Sequence, residues 1–140
     1  MVSFSLEGLS DVLASVRSYD GQTRSRVQNT VARYAYKIAR EAKGLAPVDS
    51  TLLRGSIRAE IGSFAADVVA DAPHAPYVEF GTGSEVSVPP GLEDYAREFY
   101  VDGSGHTPAQ PFLFPAVEAN RAPFRRDLEE AVDPSRVGVE

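Results

Sequence analysis

Apolar and polar positions alternate along this chain with two different periods, and the switches between them mark its elements. Val2 to Leu6 (VSFSL) runs with period two and predicts a short half-buried strand, closed by Gly8. Leu9, Val12, Leu13 and Val16 then fall at helical spacing with Ser10 as an available N-cap, so a short helix is expected over Leu9 to Tyr19, ahead of an Asp20-Gly21 turn. The strongest pattern is Gln22 to Lys43. Val27, Val31, Tyr34, Ala35, Ile38, Ala39 and Ala42 share one broad arc of a helix, while Arg26, Arg33, Lys37 and Arg40 form a cationic stripe roughly opposite. Gly44 as the residue beyond the end, with Pro47 after it, would stop this helix.

After the Ala46 to Ser50 turn the period returns to two. Ser56 to Ile61 reads as a strand, Gly62-Ser63 as a reversal and Phe64 to Asp71 as the antiparallel partner. Ala75 to Phe80 (APYVEF) fits a short helix or a strand. Residues 81 to 111 hold five of the eleven Gly and four of the ten Pro and form an irregular zone, interrupted by a helical pattern over Leu92 to Tyr100. Pro111 to Pro115 (PFLFP) leads into a last helix, Ala116 to Val132. Its acids Asp127, Glu129 and Glu130 lie near the C-terminal end, the unfavourable end of the helix dipole, so packing must supply most of its stability. Asp133 to Glu140 reads as a flexible tail. The expected fold is α+β: one domain over residues 1 to 132, with an antiparallel sheet of about four strands and the two long helices packed on one face.

Composition narrows the chemistry. With 140 residues there is one core, no apolar run approaches a membrane span, and the start lacks the pattern of a signal peptide, so a soluble protein is expected. No Cys and only two His leave no thiolate chemistry and little scope for a metal site. The net charge of −6 hides a segregation: residues 17 to 58 carry nine Arg or Lys against three acids, and residues 59 to 140 carry five Arg against fifteen acids. Complementary fields of this kind steer one copy onto another and fix register.

Three chemistries are open to these residues. His74 with Asp71, Glu79 and Ser63 or Ser84 nominally supplies acid, base and nucleophile, although no recognised spacing joins them. GTGSE (Gly81 to Glu85) lacks the Lys and the helix of a phosphate loop. No catalytic, cofactor or metal site is therefore expected. The Arg26, Arg33, Lys37, Arg40 stripe could follow a phosphate backbone, which makes a non-specific DNA-binding module the alternative reading. Tyr77, Val78, Glu79 and Phe80, then Phe112, Leu113 and Phe114, sit in irregular regions. Their apolar members are either core or anchors for a partner.

Three segments, APVDSTLLRGSI (Ala46 to Ile57), HAPYVEFGT (His74 to Thr82) and PAQPFLFPAVE (Pro108 to Glu118), in this order after a long amphipathic helix, make the chain resemble the gene-ten-product-like family of tailed-bacteriophage neck and tail-completion proteins. The likeness covers Val2 to Val132. It departs from the family pattern at Ser50-Thr51, where Thr-Gly is usual, and in a longer segment near 84 to 105. The resemblance implies a virion structural protein without enzymatic activity or cofactor, assembled in the host bacterial cytoplasm. It implies a ring of six or twelve copies at the head-to-tail junction, joined to connector and tail proteins, with at most non-specific contact with passing DNA. On this reading Pro47, Val48, Asp49, Leu52 and Arg54 set the turn between helix and sheet. Tyr77, Val78, Glu79, Phe80, Gly81 and Thr82 form a fold-defining segment beside a subunit contact, and Pro111, Phe112, Leu113 and Pro115 brace the last helix. The segment from Ser84 to Gly105 is expected to order against a neighbour on assembly.

Overall fold

A computed structural model describes residues 2–6, 20–97 and 107–132. The expected helix over Leu9 to Tyr19 and the expected tail from Asp133 lie outside the described residues, as does the stretch from 98 to 106.

The long helix α1 (Gly21–Leu45) starts where Asp20, in an extended conformation, accepts the Thr23 N–H on its side chain at 2.8 Å. Hydrogen bonds to Thr23, with the nearby Arg26 charge, hold the Asp20 carboxyl below its ordinary value. Gly44 does not end α1, in contrast to the expectation, but lies inside its last turn. The helix stops at Ala46, which is extended because the ring of Pro47 disfavours helical geometry in the residue before it. A turn closed by Ser50 N–H on the Pro47 carbonyl (3.1 Å) leads into a short helix, α2 (Thr51–Gly55). Thr51 thus takes an ordinary helical conformation where the related pattern has glycine.

Three strands, β1 (Val2–Leu6), β2 (Ile57–Ile61) and β3 (Ala66–Ala70), form an antiparallel sheet in the order β1-β3-β2. Val2 lies opposite Ala70, and Ile57 opposite Ala70 on the other side. The fold is α+β as the pattern predicts. The sheet has three strands among the described residues, because Ala75–Phe80, open to either assignment, forms a helix, α3. Pro76 explains the choice: at the start of a helix its fixed φ fits and its missing N–H is not needed.

Helix α1 crosses one face of the sheet. The last helix, α5 (Leu113–Val132), runs antiparallel along α1, and both helices pack against the sheet as expected. Val27, Val31, Tyr34, Ala35, Ile38 and Ala42 of α1 meet Ile57, Val68 and Ala70 of the sheet and Phe124, Leu128 and Ala131 of α5 in one core. The entrance of α5 reaches the sheet through Phe114, whose ring lies 6.2 Å from that of Phe4.

The irregular zone returns to the fold. Within it α4 (Glu93–Arg97), beyond which the expected helix leaves the described residues, places Tyr95 against Phe4 and Phe80 with ring centroids 6.0 and 6.3 Å away. The Tyr95 hydroxyl accepts from Ser3 N–H at 2.8 Å and donates to Ser3 C=O at 3.0 Å, which satisfies both backbone groups of Ser3 on the outer edge of β1.

The α1–α5 contact should depend on its apolar seam far more than on its surface ion pairs. Leu128→Ala, which empties a fully buried position, is expected to lower stability by about 2–5 kcal/mol. Arg33→Ala, whose side chain is 63% exposed, should cost less than about 1 kcal/mol. Urea unfolding of the two variants measures both.

Candidate functional site

Glu79 is the only acid in the apolar run APYVEF, and α3 carries it inward until it is 1% exposed. Its carboxylate faces the first turn of α5. The N–H groups of Phe112 and Leu113 donate to Oε1 at 3.2 and 2.9 Å, and that of Phe114 donates to Oε2 at 3.1 Å. The first amides of a helix have no partner inside it, so a carboxylate from a distant segment here does the work of an N-cap. Burial pushes the Glu79 carboxyl above its ordinary value, and the three amides oppose that shift by favouring the charged form. This cap also explains why α5 begins at Leu113, ahead of the expected Ala116.

The same two segments pair along their backbones. Gln110 N–H donates to Val78 C=O and Thr82 N–H to Thr107 C=O, both at 2.8 Å, and Thr107 N–H donates to Thr82 Oγ1 at 2.8 Å. Gly81 lies at the crossing with φ +81°, and a Cβ there would stand 2.4 Å from the Glu85 carbonyl oxygen and 2.9 Å from Ala109 N. Only glycine fits both the conformation and the space.

The seven candidates for a partner interface therefore divide. Glu79, Phe80, Phe112 and Leu113 are buried within the chain's own fold, which corrects their place among the interface candidates. Val78 and Phe114 are half-buried, and Tyr77 is 39% exposed. The most exposed aliphatic side chains are elsewhere: Val48 (82%), Leu52 (67%) and Leu45 stand out around the turn between α1 and α2. Spacing alone did not distinguish them from core residues, since Leu52 looks apolar in the same way as the buried Leu53. In that turn Asp49 is exposed, Pro47 is half-buried, and Arg54 reaches back toward the Ala46 carbonyl at 3.4 Å.

The basic stripe of α1 is also divided. Arg26 is half-buried and donates from Nε to the Ala131 carbonyl at 2.9 Å, satisfying one of the last carbonyls of α5. Arg33 pairs with Asp127 at 3.1 Å, and the Tyr34 hydroxyl donates to the same carboxylate. The hydroxyl, Arg126 and Arg33 hold Asp127 below its ordinary value against a desolvation that would raise it. Lys37 lies 5.5 Å from the Tyr34 ring centroid, and Arg40 is exposed. Two of the four cations thus answer the acid and the carbonyls at the C-terminal end of α5, so the stripe is not a continuous free row.

Of the serines considered beside His74, neither Ser63 nor Ser84 is its neighbour. Ser50 is, with Oγ 3.2 Å from Nε2, which joins the first two motifs. Among the described residues no carboxylate hydrogen-bonds the imidazole, and no group of three His, Asp or Glu is placed to hold a metal ion. No described helix is long and apolar enough to cross a membrane. Compared with family models, curated proteins and solved structures, the chain matches none.

Glu79→Ala leaves three amides without their acceptor and is expected to cost about 3 kcal/mol or more, while Glu79→Gln, which keeps one acceptor oxygen, should cost less. The charge has its own signature. Because the folded-state pKa lies above the unfolded one, the native chain holds a proton through a pH window in which the unfolded chain has lost it. Glu79's contribution is therefore greatest below that window and declines as pH rises through it. The stability gap between wild type and Glu79→Gln should narrow accordingly in urea titrations run at increasing pH. Gly81→Ala is expected to destabilise about as strongly as Glu79→Ala, by strain and not by a lost bond.

Proposed function

We propose that this chain is a structural virion protein of a long-tailed bacteriophage, built into a ring of six or twelve copies at the head-to-tail junction, where it joins the connector to the tail tube. On this reading it catalyses nothing and needs no cofactor. Its partners are copies of itself and the neighbouring connector and tail proteins.

The observation that carries the proposal is the arrangement of the three segments that resemble the neck and tail-completion family. HAPYVEFGT and PAQPFLFPAVE lock together through Glu79, Gly81 and the Val78–Gln110 backbone bond, with Thr82 bonded to Thr107 just ahead of the second segment. APVDSTLLRGSI joins them through Ser50 and His74 and leaves Val48 and Leu52 in solvent. The shared residues are thus those that make one rigid end of the domain, and the uncovered aliphatics of that end are suited to anchoring a neighbour. Reading α1 as a DNA-binding face has less support, since Asp127 and the α5 carbonyls occupy part of its basic stripe.

Purified particles of the virus that encodes the chain should contain it, and electron microscopy should place it between head and tail. Deleting its gene should leave unjoined heads and tails, whereas infectious particles formed without it would refute the proposal. Val48→Asp with Leu52→Asp should abolish incorporation while changing stability by no more than about 0.5 kcal/mol, because both side chains are exposed.

A further inference from the structure

Two arginines share one carboxylate on the outer side of the α1–α5 seam. Arg33 lies 3.1 Å from Oδ2 of Asp127 and Arg126 3.1 Å from Oδ1, and both guanidinium side chains are mostly exposed while Asp127 is not. Lys37 lies over the ring of Tyr34, whose hydroxyl donates to the same Asp127, and Arg40 stands exposed beyond it. Glu130 is the other acid near Arg126. Four cations (Arg33, Lys37, Arg40, Arg126) against two acids (Asp127, Glu130) leave this surface at +2. Tyr36, three residues after Arg33 and four before Arg40, shares their helix face and is 58% exposed. An uncovered tyrosine between arginines is the composition of a protein contact, in which the ring supplies apolar area and the charges supply orientation.

The opposite charge is carried on the excursion between α3 and α5. Ser87 N–H donates to the Phe80 carbonyl at 2.8 Å and the Tyr95 ring packs on that of Phe80, so both halves of the excursion are held against one buried residue. Its described charged residues are Glu85, Glu93 and Asp94 against Arg97, three acids and one cation, all exposed, for a sum of −2. Asp94 pairs with Arg97, and Glu85 and Glu93 form no ion pair among the described residues. Val86 beside them is 37% exposed.

We propose that copies of this chain associate head to tail, the Arg33, Tyr36, Arg40 face of one copy receiving the acidic excursion, Glu85 to Asp94, of the next. The inference deepens the ring reading and rests on it for the identity of the partner. The two surfaces match in sign and in size of charge, and each offers an exposed apolar side chain, Tyr36 on one and Val86 on the other. A two-fold contact of α1 on α1 about Tyr36 is disfavoured, because it would set Arg33 of each copy against Arg40 of the other. Since the matching patches are different parts of the chain, every contact leaves one patch of each kind free at the ends, and addition continues until the rotation closes. The exposed charges set approach and register more than affinity.

Sedimentation velocity at low ionic strength, from micromolar to millimolar protein, should show species larger than a dimer that about 0.5 M salt dissociates. Arg33→Glu with Arg40→Glu reverses the basic face, and Glu85→Gln with Asp94→Asn neutralises the excursion; each variant, with a circular dichroism spectrum like that of the wild type, should associate about tenfold or more weakly. Mixed, they should form a one-to-one heterodimer and nothing larger, because the first keeps only its excursion and the second only its basic face. The contact is refuted if the wild type stays monomeric at low salt, if either variant associates as the wild type does, or if the mixture stays monomeric or grows past the dimer. Particles that incorporate the Arg33→Glu, Arg40→Glu variant normally would remove the contact and leave the virion reading standing, whereas head-to-tail association by a chain absent from particles would do the reverse.

Discussion

A carboxylate taken out of water needs donors, and the first turn of a helix needs acceptors. At Glu79 each requirement meets the other. Three amides at the start of α5, those of Phe112 to Phe114, converge on one side chain of α3, and because the two segments are far apart in the chain, the bonds fix the end of one helix to the end of another. The start of α5, the tight passage at Gly81 and the backbone pairing of residues 78–82 with 107–110 all lie at this contact. A buried charge is costly unless its hydrogen bonds are complete, so the contact tolerates little change on either side.

The other end of α5 is held by different means. Its acids are placed badly for its own dipole, and α1 corrects this from outside. Arg33 meets Asp127, and Arg26 meets a terminal carbonyl. Asn120, buried between the helices, donates to Glu41 and to Ala116 C=O, both at 2.7 Å. The segregation of charge along the chain thus serves in part as an internal fit between two antiparallel helices, with the apolar seam of Tyr34, Ile38, Phe124 and Leu128 between them. Among the described residues, Arg40, Lys43 and the aliphatic turn after α1 are left exposed.

Periodicity by itself determined much of the chain: β1 from Val2 to Leu6, α1 to within two residues at its C-terminal end, the β2–β3 hairpin and the α+β class. These are segments in which side-chain spacing repeats over enough residues to specify a face, and a local pattern is sufficient for a local structure. Three further decisions belonged to tertiary structure. Whether an apolar side chain on a Pro-braced segment is core or surface depends on what covers it, so Phe80 and Phe112 went inside while Val48 and Leu52 stayed out. Whether a cation is free depends on its neighbours across space, so Arg26 and Arg33 were absorbed and Arg40 was not. And the place where α5 starts was decided by Glu79, because helix amides take a cap from wherever in the fold an acceptor stands, and sequence separation carries no information about that distance.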